Sequence, residues 1–111
     1  MEKTEKYRQI VREIVKRHSQ LRIPMEGVEV FAVEDVPRDH YQVVRNGWAR
    51  SHWYYGVILH IDIRDGKVWI QHDGIEDGVA LELVEMGIPR EDFVLGFQEP
   101  HARQFTEFAA G

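Results

Sequence analysis

The sequence predicts an α+β fold: an N-terminal helix, an antiparallel β-meander of four to five strands, a second helix and a final strand. Two observations predict it. Apolar residues recur at helical spacing over the first twenty residues, and from residue 28 the hydrophobic pattern changes to a period of two, as in strands that bury one face. The 111 residues include no cysteine, so we expect one domain over 1–111 that folds without disulfide bonds.

The N-terminal helix is predicted over 4–19. Its apolar side chains, Ile10 and Ile14 among them, follow the i, i+3, i+4, i+7 spacing and form a stripe that is expected to face the core. Pro24 and Gly27 then end the helical region, because proline removes a backbone donor and glycine favours turns.

The position of one turn decides how the strands are divided. Asn46-Gly47 is a strong hairpin signal on its own. A turn there leaves two short polar arms, whereas a turn over 49–52 is flanked by two long runs of aromatic and β-branched residues, which favour strands. We therefore place the turn at 49–52. A second helix is predicted over 75–87. The strands are predicted over 28–34, 40–48, 53–63, 67–73 and 93–97, and we expect all of them to pair antiparallel in one sheet.

The hairpin closed by Asp65-Gly66 carries the polar side chains of greatest interest. Asp-Gly favours a two-residue type I′ turn, which fixes the register of the two flanking strands. Strict alternation from this turn sends His60 and His72 to opposite faces, so the two histidines are not expected to bind one metal ion. The predicted pairs are Ile63 with Val68, Asp62 with Trp69, Ile61 with Ile70, His60 with Gln71 and Leu59 with His72.

This register separates an aliphatic face from a polar face that carries Trp69. An exposed tryptophan among hydrogen-bonding groups is typical of interface hot spots, which makes the polar face a candidate partner surface. The alternative is that the second helix or the C-terminal segment covers this face and makes Trp69 a core residue. The candidate partner surface comprises His60, Asp62, Trp69, Gln71, Arg103 and Phe105. The predicted core comprises Ile10, Ile14, Val57, Leu59, Ile61, Ile63, Val68, Ile70, Leu83 and Leu95.

The sequence lacks the patterns that indicate an enzyme or a metal site. His60 and Asp62 share a face, but nothing in the spacing indicates that His40 or His101 supplies a third ligand. The chain has no glycine-rich phosphate loop and no G-x-S-x-G motif. Its acidic pairs fall at the ends of predicted elements, where carboxylates serve as caps. We therefore expect no catalytic residues, no metal and no cofactor.

The charge of the chain is unevenly distributed. The net charge is −5, but residues 1–24 hold seven basic and three acidic residues, so this segment carries +4 and the remainder −9. An acidic body argues against a stand-alone nucleic-acid binder, which usually has a broad basic face. No segment resembles a signal peptide or a membrane span, so we expect a cytoplasmic protein. The basic helix leaves DNA binding as an alternative, with candidate contacts at Arg8, Arg12, Lys16 and Arg22.

Several stretches, taken in order, resemble one known family. They are "YRQIV" (7–11), "RDHYQ" (38–42), Gly47-Trp48, "YG" (55–56), "HIDIRDGKVWIQ" (60–71), "ELVEMGIPREDFVLGF" (82–97) and "RQFTEFA" (103–109). Together they resemble the XisI family, the fdxN element excision controlling factors of cyanobacteria. No single stretch is a chemical fingerprint, so the resemblance depends on the ordered set, which covers nearly the whole chain.

The resemblance implies a role in DNA recombination. XisI-like proteins accompany a nuclease-related partner, XisH, and both are required for a site-specific recombinase to excise a DNA element during heterocyst differentiation. This implies a non-catalytic controlling factor whose direct partner is an XisH-like protein and whose contact with the recombinase complex is indirect. The alternative is a recombination directionality factor that binds DNA through its basic helix.

We also expect a homodimer, because aromatic residues cluster around the turn at 49–52 and exposed apolar patches tend to be interfaces.

Overall fold

The computed structural model describes residues 2–21, 25–103 and 108–109. It confirms the predicted fold class and the order of the main elements. None of the described helices is long and apolar enough to span a bilayer. The elements are α1 (Lys3–Leu21), β1 (Val28–Asp35), β2 (His40–Ala49), β3 (His52–Arg64), β4 (Lys67–Asp73), α2 (Ala80–Glu85), a 3₁₀ turn (Arg90–Asp92), β5 (Phe93–Leu95) and α3 (Pro100–Arg103).

The five strands form one sheet in the order β1-β2-β3-β4-β5. The first four strands pair antiparallel, as predicted. β5 instead lies parallel to β4, with Phe93 beside Val68, so the prediction of an antiparallel final strand is wrong. The chain crosses over from β4 to β5 through α2, and a connection of this kind joins parallel strands.

The second helix is shorter than predicted and begins only at Ala80. The Asp73 carboxylate accepts hydrogen bonds from the backbone N–H groups of Ile75 at 3.1 Å and Val79 at 2.8 Å. Aspartate side chains that bond nearby backbone groups in this way favour turns over helix. The segment between these residues therefore forms a turn around the carboxylate rather than the first turn of the helix predicted over 75–87.

The inner face of the sheet packs against α1 and α2. Val11, Ile14 and Val15 of α1 are fully buried against it, as the apolar stripe predicts, and Leu83 of α2 joins the same core. Leu95 is half-buried and packs against this core. The other predicted core residues that are buried are Ile10, Leu59, Ile61, Ile63, Val68 and Ile70.

The prediction that Val57 is buried is wrong, because its side chain is 39% exposed. The cause is a β-bulge in β3. Val43 lies opposite Leu59, but Val44 lies opposite Val57, so Ile58 is an extra residue in the pairing. An extra residue shifts the alternation of side chains on either side of it. Ile58 and Leu59 are therefore both buried, while Val57 points outward.

The β3–β4 hairpin follows the prediction near its turn and departs from it at its far end. Asp65 and Gly66 have φ values of 55° and 74°, as a type I′ turn requires. A register shift then places His60 opposite His72 instead of Gln71. Directly opposed residues lie on one face, so the prediction that the two histidines point to opposite faces is wrong. The pairs Ile63–Val68, Asp62–Trp69 and Ile61–Ile70 are confirmed, whereas Leu59 lies opposite Asp73.

The turn between β2 and β3 lies where it is predicted. Arg50 and Ser51, with φ values of 50° and 63°, form it, and Asn46-Gly47 lies inside β2. Gly47 allows a close approach of backbones: a Cβ placed on it would lie 1.9 Å from the carbonyl oxygen of Gly27. Glycine inside a strand often marks such an approach.

A group of polar contacts joins α1 to the residues before β2. Arg8 donates to both carboxylate oxygens of Asp39, at 2.8 and 3.0 Å, and the hydroxyl of the buried Tyr41 donates to the same carboxylate at 2.7 Å. The hydrogen bonds from Arg8, and then from Tyr41, outweigh burial and hold the pKa of Asp39 below its ordinary value. Asp39 therefore stabilises the fold in its ionised form.

We expect Asp39→Asn to lower the free energy of unfolding near neutral pH, by an amount that shrinks below about pH 4. The folded-state pKa of Asp39 lies below the unfolded value, so its contribution is present above the unfolded pKa and is lost as pH falls through the folded pKa. Asparagine tolerates the positive φ of this residue, 56°. Urea denaturation across the acid range measures the difference, with Asp77→Asn at an exposed turn as control. A difference that does not change with pH would contradict this prediction.

Candidate functional site on the outer face of the sheet

The sheet face opposite α1 and α2 is the outer face, and one end of it carries polar side chains from three strands. His40 lies opposite Asp62, and Gln42 lies opposite His60. Trp69 of β4 also lies opposite Asp62. Opposed residues share a face, so the sheet brings these side chains together. This polar end comprises His40, Gln42, His60, Asp62, Trp69 and Gln71.

Asp62 is the centre of the polar end. Its Oδ1 accepts hydrogen bonds from His40 Nδ1 and His60 Nε2, both at 2.8 Å, and its Oδ2 accepts one from Gln71 Nε2 at 3.2 Å. The residue is only 9% exposed. Burial acts to raise the pKa of Asp62, but the hydrogen bonds from His40, His60 and Gln71 hold it below its ordinary value. The carboxylate is therefore ionised at neutral pH and partly buried among its donors.

Trp69 is half-buried, and two arginine side chains lie over its ring. The Arg64 guanidinium lies 3.9 Å from the ring centroid, and that of Arg103 lies 5.4 Å away. Arg103 also donates to the backbone carbonyls of Leu95 and Gly96, so the C-terminal region partly covers this face. Trp69 Nε1 is inaccessible and has no hydrogen-bond partner among the described residues. Trp69 is thus intermediate between the two predicted alternatives, an exposed hot spot and a core residue.

The structure brings five of the six predicted partner-surface residues into one region of the outer face. His60, Asp62, Trp69 and Gln71 belong to the polar end, and Arg103 lies over Trp69. Phe105 lies outside the described residues. His101 lies on α3 and is not part of the ligand group formed by His40, His60 and Asp62.

The opposite end of the outer face is aromatic and exposed. Trp48, Trp53 and Tyr55 are 63%, 46% and 77% exposed. The centroids of the two indole rings lie 5.5 Å apart, and the ring of Tyr55 stacks on Trp53 at 6.3 Å. These three residues form the aromatic end. It borders a groove of about 300 Å³ whose lining includes Phe31 and Val57.

The candidate nucleic-acid contacts on α1 are largely paired with carboxylates. Arg8 binds Asp39 and also contacts Glu5. Arg12 donates to both carboxylate oxygens of Glu34, at 3.3 Å each. Lys16 is exposed on the same helix. The fourth candidate, Arg22, lies outside the described residues.

Sequence reasoning did not assign His40 to the polar end. His40 lies on β2, and its position opposite Asp62 depends on the bulge in the β2–β3 pairing. A strict alternation counted from the β2–β3 turn misses this bulge and places the facing residues one position away. The only signal in the sequence was that a predicted strand begins with His40. That signal does not indicate which residue of the neighbouring strand His40 faces.

The chain matches the family model described as XisI protein over residues 1–110. It belongs to the XisI family. A XisI-like protein from Anabaena variabilis has a solved structure that is 37% identical, with a TM-score of 0.93, and the match covers 97% of this chain and 99% of that chain. The structure of the fdxN element excision controlling factor XisI from Anabaena variabilis is 32% identical, with a TM-score of 0.87, and the match covers 99% and 100%. The comparison with curated proteins found no match.

Membership of the XisI family confirms the resemblance predicted from the ordered stretches. Both Anabaena structures match this chain over nearly its whole length, so the arrangement of helix and sheet is that of the XisI family. In this XisI-family chain the outer face has two distinct ends, one a hydrogen-bonded polar group and the other an exposed aromatic group.

Proposed function

We propose that this chain is a non-catalytic controlling factor in the excision of a DNA element and that it acts by binding a protein partner. The process is supported by family membership and by the 32% identity to an fdxN element excision controlling factor. The mode of action rests on the aromatic end of the outer face, where three large rings are exposed side by side. Clusters of exposed aromatic residues are typical of the energetic centres of protein interfaces.

The anatomy of the outer face fits a protein partner. The aromatic end supplies apolar area, and the groove beside it offers a depression for an apolar side chain of the partner. The polar end supplies hydrogen-bonding groups at a distance from these rings, as in interfaces that combine an apolar centre with a polar rim. The outer face is therefore the proposed partner surface, and the aromatic end contributes most of its binding energy.

The proposed direct partner is an XisH-like, nuclease-related protein, and contact with the site-specific recombinase is indirect. The net charge of −5 supports a protein partner with a basic, DNA-handling surface over direct contact with DNA, since opposite charges speed association and suppress wrong partners.

We expect Trp53→Ala to weaken binding to the XisH-like protein by about tenfold or more, because truncation of a central interface aromatic typically costs about 2 kcal/mol or more. Trp53 is 46% exposed, so the variant should retain its fold. The two proteins are co-expressed, the complex is separated by size exclusion, and the affinity is then measured with the purified components.

Leu81→Ala is the matched control, because Leu81 is a large apolar residue that is 58% exposed and lies on α2, away from the outer face. Equal affinities for Trp53→Ala and the unmodified chain would contradict the proposed surface.

In the absence of the partner, we propose that the aromatic end pairs with a second copy of the chain. Light scattering should then show a dimer that Trp53→Ala converts to a monomer.

Direct DNA binding through α1 is the alternative function. The structure weakens its basis, because Arg8 and Arg12 are paired with carboxylates of Asp39 and Glu34. Binding through phosphate contacts would weaken steeply as salt concentration rises. A steep salt dependence of DNA binding by the isolated chain, with a slope that falls by about one in Lys16→Ala, would favour this alternative.

A further inference from the structure

The polar end of the outer face contains three metal-ligating side chains that converge. His40, His60 and Asp62 can each present one donor atom such that all three atoms lie within 4.8 Å of one another. The residues come from two neighbouring strands, with His40 directly opposite Asp62. Strands in the middle of a sheet are rigid supports, so these donor atoms are held together by the fold itself rather than by a loop.

We propose that His40, His60 and Asp62 bind a divalent transition-metal ion, with Zn²⁺ as the first candidate. Two imidazole nitrogens and one carboxylate oxygen are a donor set that suits Zn²⁺ and its first-row neighbours, whereas Mg²⁺ and Ca²⁺ prefer all-oxygen sites. Three protein ligands leave one position of a tetrahedral ion open, and water can fill it. His40 is exposed, so the ion can reach the site from solvent.

Two of the three distances between the donor atoms are close to those that a metal ion requires. Asp62 Oδ1 lies 2.8 Å from His40 Nδ1 and 2.8 Å from His60 Nε2. In a tetrahedral Zn²⁺ site, bonds of about 2.0–2.2 Å place neighbouring donor atoms roughly 3.3 Å apart. Each oxygen–nitrogen pair therefore needs to open by about half an ångström. The ion would take the place of the two N–H protons that hydrogen-bond these atoms in the metal-free group, and each proton would move to the other nitrogen of its ring or to solvent.

Two glutamine side chains hold the ligands from outside. Gln71 donates to Asp62 Oδ2 at 3.2 Å, on the oxygen that the histidines do not contact. The side-chain amide of Gln42 lies 3.5 Å from His60 Nδ1, the nitrogen that faces away from Asp62. Groups that contact the remote atoms of metal ligands commonly fix ligand orientation. Neither glutamine occupies the donor atoms that converge on the proposed ion.

The test uses the tag-free, chelator-treated full chain without its protein partner, so its result does not depend on the proposed function. Calorimetric titration with Zn²⁺ should show one ion bound per chain, and Co²⁺ should give the visible absorption of a tetrahedral site. His40→Ala should weaken Zn²⁺ binding by about tenfold or more and abolish the Co²⁺ absorption. Because His40 is exposed, the variant should keep its fold, which circular dichroism in the presence of chelator checks.

His52→Ala is the matched control, because His52 is an exposed histidine at the start of β3, outside the group. It should bind Zn²⁺ as the unmodified chain does. The proposal is overturned if the unmodified chain shows no saturable binding, if His40→Ala binds as tightly as the unmodified chain, or if His52→Ala weakens binding as much as His40→Ala. In any of these outcomes the three residues are a hydrogen-bonded polar group only.

Discussion

Ile61→Asp is expected to destabilise the fold by about 3–5 kcal/mol, because it places an unpaired charge in the core. Ile61 of β3 is fully buried on the face of the sheet that packs against α1. Its cross-strand partners are Tyr41 and Ile70. The Tyr41 hydroxyl already donates to Asp39, so neither partner offers the new carboxylate a counter-ion or a spare hydrogen-bond donor. Urea denaturation measures the loss directly as a lower free energy of unfolding.

Val57→Asp is the control that makes this test specific for the register of β3. Strict alternation gives Val57 and Ile61 the same face, but the bulge at Ile58 turns Val57 outward. We expect Val57→Asp to cost less than about 1 kcal/mol, as surface substitutions usually do. Similar losses for the two variants would mean that the bulge is absent and that strict alternation holds.

Gly47→Ala is expected to cost about 1–3 kcal/mol more than Gly56→Ala, in line with the cost of overpacking. The two glycines have nearly equal φ values, 150° and 152°, so alanine meets the same backbone strain at both. Their surroundings differ. A Cβ on Gly47 would lie 1.9 Å from Gly27 O and 2.7 Å from the Cα of Val28, whereas a Cβ on Gly56 meets nothing within 4 Å.

The difference in stability between the two glycine variants therefore measures the cost of disturbing the close contact between Gly47 of β2 and the backbone of Gly27 and Val28. Both midpoints are measured by thermal and urea denaturation under the same conditions. If the two variants lose equal stability, the backbone conformation alone explains the need for glycine at Gly47, and the close contact contributes nothing.

The sequence predicted the elements whose signals are local. The apolar stripe of α1 and the turns at Arg50-Ser51 and Asp65-Gly66 depend on neighbouring residues only, and these are confirmed. The errors concern longer-range pairing. The bulge falls on the β-branched Ile58, and the glycine of this strand, Gly56, lies two positions before it. The exposure of Val57 could therefore not be read from an alternating pattern.

The candidate site was predicted in part for the same reason. His60, Asp62, Trp69 and Gln71 lie within one hairpin, and the turn chemistry placed them together. His40 comes from another strand, and its position depends on the β2–β3 register. The direction of β5 likewise depends on the crossover through α2, which becomes visible only in the folded chain.

The outer face, and above all its aromatic end, is the proposed partner surface. Hydroxyl-radical footprinting of the chain, alone and in complex with the XisH-like protein, tests it most directly, because aromatic side chains react readily when exposed. We expect the oxidation of Trp48, Trp53 and Tyr55 to fall on complex formation, while the oxidation of Leu81 on α2 does not change. Unchanged oxidation at the three aromatic residues, with protection confined to α1 or α2, would contradict it.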